Sequence, residues 1–482
     1  AVLSVQAIAA RLKDRFRLLV TGDRTVLPRQ RTLRALIDWS FELLGEAERT
    51  MFARLSVFAG GWTLEAAAAV CADAEIAAED VLDLLAQLVQ KSLVVMEPGG
   101  ERYRMLDTVR AYAAEKLGEG EGEAPTRRRH VEQVLTFAEQ ARGRLAGPEQ
   151  AQALAQFDLE RENLLAAHAW CGRDPEVLDA GLRLVFLLKT YWHARGLLSL
   201  GHRITVEALQ RTSPTERTFG RCRVLCDAGQ LAAHMGRHAE ARRHLEESHA
   251  IATELGDKAR LSAVLPPLGM VLVATGEPAL AMPVYEAAAA LAAELGQPRQ
   301  HAVAVNALAQ LHRAEGAFDR AEAMYRQALA QFEAIEDHEG TAITRLNLAM
   351  VAVAGGRFDA ARAGLRPVHR AGGTLGSQPV RKSLVEVAAG LAAALDDAER
   401  CATLYGAAEA LGRRTGLVRD AEDDAYLQPL VARARASLGA EAFAGRAAAG
   451  ADAAEAQVDA WIGAVLGEQD LTPSRTRADP TR

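Results

Sequence analysis

The sequence predicts a mainly α protein in which a solenoid of helix pairs follows a small helical unit carrying one β-hairpin. Three observations support this. Glycines recur at Gly196, Gly236, Gly276, Gly316 and Gly356, 40 residues apart each time. Five residues after each stands a small residue (Gly201, Ala241, Ala281, Ala321, Ala361), and nine after each stands a large one (Leu245, Tyr285, Tyr325, Leu365), Thr205 being the exception. Hydrophobic content is 49% while aromatic content is 5%, a balance that favours helices packed on small residues over a β core.

The repeat has a mechanical reading. A first helix ends at the glycine, which accepts the positive φ of a helix C-terminus, and a second helix runs back. Small residues at plus five and plus twelve (Ala208, Ser248, Ala288, Ala328, with the larger Val368) let the helices approach, and the large residue at plus nine fills the groove between them. Eight residues before the glycines stand Leu188, Leu268, Leu308 and Leu348, with Ala228 in the remaining copy; the phase persists to Asp396, followed by Cys401, Tyr405 and Ala408. One pair cannot bury its apolar face, so the copies must stack. Leu308-Ala309, Gly316, Ala321, Tyr325 and Ala328, like Leu348-Ala349, Gly356, Ala361 and Leu365, resemble the tetratricopeptide (TPR) pattern. The period is 40 where that family has about 34, and the terminal proline is missing. The extra residues read as longer second helices and inter-repeat loops such as Glu254-Leu255-Gly256-Asp257. HEAT-like repeats are the structural alternative; the glycine-plus-five-alanine register favours a TPR-like α-solenoid.

In chain order, residues 1–30 read as the end of an upstream helical region, with a helix over 1–19 and a basic connector from Arg24 to Arg31. The chain opens inside an amphipathic helix and is expected to be part of a longer protein. Residues 31–118 read as a winged helix: helices over 32–44, 46–58, 63–71 with Thr63 as N-cap, and 78–91, then a β-hairpin of 93–96 and 102–105 around Glu97-Pro98-Gly99-Gly100-Glu101. The candidate recognition helix carries Glu79, Asp80 and Asp83 against Lys91 alone, which would repel phosphate, so direct nucleic-acid binding by this chain is not expected. Linking helices occupy 119–176, opening on Arg127-Arg128-Arg129, read as a solvated basic turn. The repeats run over 177–416, three capping helices over 417–466, and a polar, disordered tail over 467–482.

Thr32-Leu33-Arg34-Ala35-Leu36-Ile37-Asp38-Trp39-Ser40, Leu55-Ser56-Val57-Phe58-Ala59-Gly60-Gly61-Trp62 and Tyr103-Arg104-Met105-Leu106-Asp107-Thr108-Val109-Arg110 resemble the winged-helix segment of bacterial STAND ATPases. These are the NB-ARC-like signalling NTPases of large transcriptional regulators. The resemblance continues through Phe157-Asp158-Leu159-Glu160-Arg161-Glu162-Asn163-Leu164 into the repeats. It implies an upstream nucleotide-binding domain in cis that takes ATP and ADP, with the solenoid sensing a protein, peptide or small-molecule inducer. Met105-Leu106-Asp107 resembles the family's Met-His-Asp motif, with Leu106 in place of the histidine that approaches the diphosphate. Asp107 therefore has two compatible readings, a nucleotide-state latch and an N-cap of the helix over 108–117. No G-x-x-x-x-G-K-[ST] occurs and no lysine follows a glycine, so this chain is expected to bind no cofactor and to hydrolyse no ATP, the full-length protein being the ATPase. The alternative is a free-standing TPR scaffold whose winged helix is structural or weakly DNA-binding.

Composition and motifs exclude other classes. The net charge of -7 argues against a general nucleic-acid or anionic-membrane binder. Five scattered cysteines fit a reducing, cytoplasmic setting better than a disulfide framework, and no apolar run reaches the roughly 18 residues of a membrane helix. His234, His238, His244 and His249 near Cys222 and Cys226 lack metal-site spacing, and no nucleophile triad stands out, so neither metal nor catalytic residues are expected. In TPR arrays the first helix of each pair lines a concave groove through residues 13, 10, 6, 3 and 2 before the turn glycine. Carried over, the resemblance implies partner-binding positions at Phe186, Thr190, His193, Arg223, Gln230, His234, Met270, Asn306, Gln310, Arg313 and Met350.

Overall fold

The computed structural model describes residues 28–468, which form two compact units. The helix expected over 1–19 and all but the first two residues of the expected tail lie outside the described residues. The first unit comprises residues up to Val134 together with Leu159–Trp170; the second comprises Leu135–Asp158 and Cys171 onward. Residues 119–134 and 159–170 thus pack with the winged helix and do not form a separate linking layer.

In the first unit, helices α1 (Pro28–Glu42), α2 (Glu46–Leu55), α3 (Leu64–Cys71) and α4 (Val81–Gln90) precede strands β1 (Val95–Met96) and β2 (Tyr103–Arg104) and helix α5 (Asp107–Gly118). The last part of the expected basic connector is helical, because Pro28 suits the first turn of a helix, where its missing N–H costs nothing. Thr63 caps α3 as expected, accepting from Ala66 N at 3.3 Å. The strands pair antiparallel, Val95 opposite Arg104 and Met96 opposite Tyr103, and Trp62 adds an antiparallel bridge to Tyr103. Met51, Phe52, Leu55, Phe58, Trp62, Leu85 and Tyr112 fill the core. Asn163 explains the Gly60-Gly61 block: its side chain accepts from Gly60 N at 3.1 Å and donates to Gly61 O at 2.9 Å. Arg129 donates to Val70 O at 2.7 Å and Arg127 to Glu123 at 2.8 Å, so two arginines of the basic turn hold structure instead of facing water.

Helix α6 (Glu123–Arg142) begins in the first unit and ends in the second, and α7 (Gln150–Cys171) begins in the second and has Leu159–Trp170 in the first. The solenoid follows as α8 (Leu178–Ala194), α9 (Leu198–Gln210), α10 (Phe219–His234), α11 (His238–Glu254), α12 (Lys258–Ala274), α13 (Pro278–Glu294), α14 (Pro298–Ala314), α15 (Phe318–Ala334), α16 (His338–Ala354), α17 (Phe358–Leu375), α18 (Gln378–Ala394) and α19 (Ala398–Thr415). The turn glycines take φ of 64 to 83°, and Asp396 takes the same conformation at 62°. A second series, Gly256, Gly296, Glu336, Gly376 and Gly416, turns the chain between pairs with φ of 55 to 78°. The 40-residue period is therefore two near-equal halves, a helix of about five turns and a tight left-handed turn twice over. The extra residues lengthen both helices, with tight turns in place of long loops.

Packing follows the expected register. Ala241, Ala281, Ala321 and Ala361 are fully buried, as are Leu245, Tyr325 and Leu365. Gly269 shows how close the approach is: a Cβ there would lie 2.5 Å from the Tyr285 ring. The cap differs from expectation. Helices α20 (Ala421–Leu438), α21 (Ala440–Ala451) and α22 (Glu455–Leu466) occur as predicted, but α20 packs against α14, α18 and α19 and so reaches first helices as well as the last pair. Leu427, Val431 and Ala434 join the core formed by Leu384, Ala388 and Leu391. The segment before α20 crosses to the early repeats, where Val418 N donates to His234 O at 2.9 Å and Leu417 packs with Leu198 and Leu231.

Candidate ligand groove

The first helices α8, α10, α12, α14 and α16 present one face each to a cavity of about 480 Å³. Phe186, Thr190, His193, Arg223, Gln230, His234 and Asn306 all line it, so seven of the positions implied by the repeat register converge. The others do not. Met270 lines a separate cavity of about 540 Å³ with Val418, Arg419 and Asp420. Arg313 and Met350 line a third, about 460 Å³, with Tyr426 and Leu430. Gln310 is half-buried on α14 and lines none of the three.

Arg313 and Met350 are engaged within the protein. Arg313 is buried, donates from Nε to the Tyr325 hydroxyl at 3.3 Å, lies 3.0 Å from Met350 Sδ and pairs with Asp423 at the start of α20. Burial opposes the guanidinium charge, yet Asp423 and Tyr325 outweigh it and hold its pKa above the ordinary value. Helix α20 borders that stretch, its Tyr426 and Leu430 lining the same cavity.

The 480 Å³ cavity is rich in cations that the register rule passes over: Arg142, Lys189, Arg260 and Arg299 join Arg223. Its carboxylates are Asp227 and Glu339. Arg299 is tied to Asp337 at 2.7 Å, and Glu339 accepts from the Ser377 hydroxyl at 2.6 Å. Burial raises the pKa of Asp227 to about 6 against the pull of Lys189 and Arg142, and its Oδ2 has no hydrogen-bond partner. Burial also lowers His234 to about 4, with Lys189 adding to the effect, and lowers His193 well below its usual range. Both rings, 4.5 Å apart, are therefore neutral near pH 7 and offer hydrogen bonds, not charge. Arg260, Arg299 and Glu339 lie one helical turn beyond the last position of the register, so extending the stripe by one turn would have found them. Arg142 stands before the repeats, where no periodicity points to it.

Asp107 sits elsewhere, in the first unit. It is the first residue of α5 and not its cap, which is Leu106 with no side-chain hydrogen bond; its carboxylate is exposed and 3.8 Å from Arg110. There it favours the helix through the macrodipole at the N-terminus. The exposed face of α4 presents Leu82, Asp83, Gln87 and Gln90, while Lys91 pairs with Glu48. No cation on it is left to meet a phosphate. The cysteines are all free and buried. Among the described residues the group that brings three metal-ligand atoms together is His202, Glu240 and His244, a different set from the histidines and cysteines weighed in the sequence. Arg237 lies 3.5 Å from His202 Nδ1 and 3.7 Å from Glu240, placing a cation where a metal would need none. Among the described residues no helix is long and apolar enough to cross a membrane.

Residues 44–118 match the family of winged helix-turn-helix domains, and residues 220–294 and 300–365 match the tetratricopeptide repeat, which decides between the two repeat readings. Over 286 residues the chain is 36% identical to a putative HTH-type transcriptional regulator of Mycobacterium tuberculosis, covering 55% of this chain and 31% of that protein. An uncharacterized protein of the same organism is 42% identical over 137 residues, 27% of this chain and 35% of its own length. The chain thus spans about a third of the length of the relatives it matches. Among solved structures, Rap protein complexed with competence and sporulation factor is 11% identical, covers 75% of this chain and 94% of its own, and has a TM-score of 0.50. A STAND protein with a tetratricopeptide repeat sensor from Pyrococcus horikoshii, 14% identical, covers 91% and 70% with a TM-score of 0.42. The chain is a winged helix-turn-helix domain joined to a tetratricopeptide-repeat solenoid, similar in sequence to proteins named as HTH-type transcriptional regulators.

Proposed function

We propose that this chain is the sensor and relay portion of a STAND-type signalling ATPase that controls transcription. The groove of the solenoid receives an inducer or partner, and the winged helix passes the change to a nucleotide-binding domain in cis that holds ADP at rest and ATP when active. The observation that carries the reading is the 480 Å³ cavity, where polar and charged side chains from five successive first helices converge and Arg223 Nε, Arg260 Nε, Asp227 Oδ2 and Ser262 Oγ are left without a hydrogen-bond partner. Structural cores do not leave polar atoms unpaired at no gain, whereas a ligand site does. The resemblance of Leu55–Trp62 and Tyr103–Arg110 to the winged helix of STAND ATPases supports the relay, and the names of the mycobacterial relatives support a regulatory output. Rap protein, alike in fold, was solved in complex with competence and sporulation factor, a precedent for a solenoid of this kind holding a signal.

In this reading the winged helix serves in packing and not in reading bases, since the exposed face of α4 carries Asp83 and the neighbouring Lys91 is paired with Glu48. The chain itself carries out no hydrolysis, and ATP or ADP binds the upstream domain. A ligand moves the switch through its different affinity for the closed and open forms, and binding both equally would move nothing. Reading the frame upstream of Ala1 tests the proposal. A phosphate-binding loop within a few hundred codons, with nucleotide retained by the purified full-length protein, is the expected result. A start codon close to Ala1 with no such loop would leave a TPR scaffold.

A further inference from the structure

The cations of the groove are arranged in a ladder. Arg142 Cζ lies 3.7 Å from the centroid of the Phe186 ring and Arg223 Cζ lies 3.1 Å from the same centroid. Arg223 and Arg260 each lie 5.2 Å from the Phe219 ring. Three guanidiniums from α6, α10 and α12 are thus spaced by two aromatic rings along one wall of the cavity. Cation–π contact holds each guanidinium against a ring, yet it leaves each positive charge in place.

Among the described residues none of the three is closed into an ion pair, although the charge of Asp227 acts on Arg142 and Arg223. Arg142 donates to the Phe186 carbonyl at 2.9 Å, a neutral acceptor. The Nε atoms of Arg223 and Arg260 are buried without any acceptor, and neither residue forms an ion pair with a described carboxylate within 4 Å. Around them stand Asp227 and the neutral ring of His234 on α10 itself and, from the other elements, Lys189, the carboxyl of Glu339, the Arg299–Asp337 pair and the neutral ring of His193. The cations repel one another: burial, with Arg260 and Arg142 adding to it and Asp227 opposing, lowers the pKa of Arg223 to about 10. A purely structural stack would gain from a carboxylate paired with one of them, and Asp227 makes no such pair within 4 Å. Leaving several planar forks unpaired around a cavity of about 480 Å³ is the arrangement that bidentate recognition of oxyanions requires.

Resting on the sensor reading above, we infer that the wall formed by Arg142, Arg223 and Arg260 is the recognition site for a ligand bearing at least two closely spaced oxyanion groups, carboxylate or phosphate. Such groups come from two sources, a small polycarboxylate or phosphorylated molecule and the acidic side chains of a peptide. The same fork geometry serves either, and the carboxyls of Asp227 and Glu339 in the same cavity disfavour a ligand negative along its whole length.

The test is isothermal titration calorimetry of the chain with citrate, inorganic pyrophosphate and a pentaglutamate peptide at low salt, in wild type and in Arg223→Gln/Arg260→Gln. The inference expects at least one probe to bind with a submillimolar Kd that weakens as salt rises, and to lose at least tenfold in the variant. Binding by citrate or pyrophosphate points to the small molecule, and binding by pentaglutamate alone points to the peptide. No binding by any probe, or equal binding by wild type and variant, overturns the site. Thermal melting guards against misfolding: relieved of repulsion, the variant melts no lower than wild type in low salt, and wild type gains more from the bound probe than the variant does. A variant that melts lower and responds equally to the probe would make the ladder structural. If a probe binds at this site but leaves nucleotide exchange of the full-length protein unchanged, the sensor reading fails while the site stands.

Discussion

Replacing Arg313 by Met would uncover how firmly α20 is seated in the solenoid. Arg313 is 5% exposed, and its guanidinium is shared among Tyr325, Met350 and Asp423. Met keeps an unbranched apolar stem and removes the charge, leaving the half-buried Asp423 beside Asp420 and Glu422 at the start of α20 without its partner. Removing one partner of a buried pair costs about 3–5 kcal/mol, chiefly the penalty of the stranded charge. Adding Asp423→Leu removes that charge too, and replacing both members of such a pair by apolar residues is often close to neutral. The double variant should therefore recover most of the loss. Hydrogen exchange across Ala421–Leu438 measures the opening of α20 itself, and urea unfolding of the second unit measures the rest. A loss below about 1 kcal/mol in the single variant, or a double variant no better than the single, would refute the claim that this pair holds α20 in place.

Other expectations follow from particular contacts. Gly269→Ala places a Cβ 2.5 Å from the Tyr285 ring, so overpacking of about 1–3 kcal/mol should outweigh the ~1 kcal/mol that alanine gains in a helix, and the solenoid should melt lower. Asn163→Ala strands Gly60 N and Gly61 O, each costing about 1–3 kcal/mol, and should lower the melting temperature of the first unit while sparing the second. Burial, with Asp423 and Glu422 beside it, raises the pKa of Asp420 to about 8. A carboxyl raised in the folded state binds its proton more tightly there than in the unfolded chain, so its contribution is fully present below about pH 4 and is lost as pH rises through 8. Asp420→Asn should therefore raise the melting temperature at pH 8.5, do little at pH 4 and flatten the slope between; a larger effect at pH 4 would contradict the assignment.

Much of the solenoid could be read directly, because its signals are local and periodic. The turn glycines, the small residues at plus five and the large residues at plus nine each answer to one neighbour within 40 residues, and each behaves as that spacing requires. The inter-repeat turns were half visible: Gly256 and Gly296 announced themselves, while Glu336 takes the same conformation at φ 55° without glycine to mark it. What stayed hidden depends on distance in the chain. Nothing near Asp423 says that it will meet Arg313, 110 residues away, and the bridge from Trp62 to Tyr103 rests on a single residue with no alternating pattern. At the groove, periodicity placed seven side chains on one cavity but passed over Lys189 and Arg142, because charge balance among helices is settled only when their faces meet. Asp107 shows the reverse limit: a residue typical of a cap stands one position inside the helix, a shift that hydrogen-bonding geometry alone decides.

The central claim, that occupancy of the solenoid groove is relayed to a nucleotide switch, is tested most directly by the release of a fluorescent ADP analogue from the full-length protein. Release is followed with and without whichever of citrate, pyrophosphate or pentaglutamate binds, in wild type and in Arg223→Gln/Arg260→Gln. Faster release on binding in wild type, absent in the variant, is the predicted result. Release that is the same in all four conditions would contradict the account.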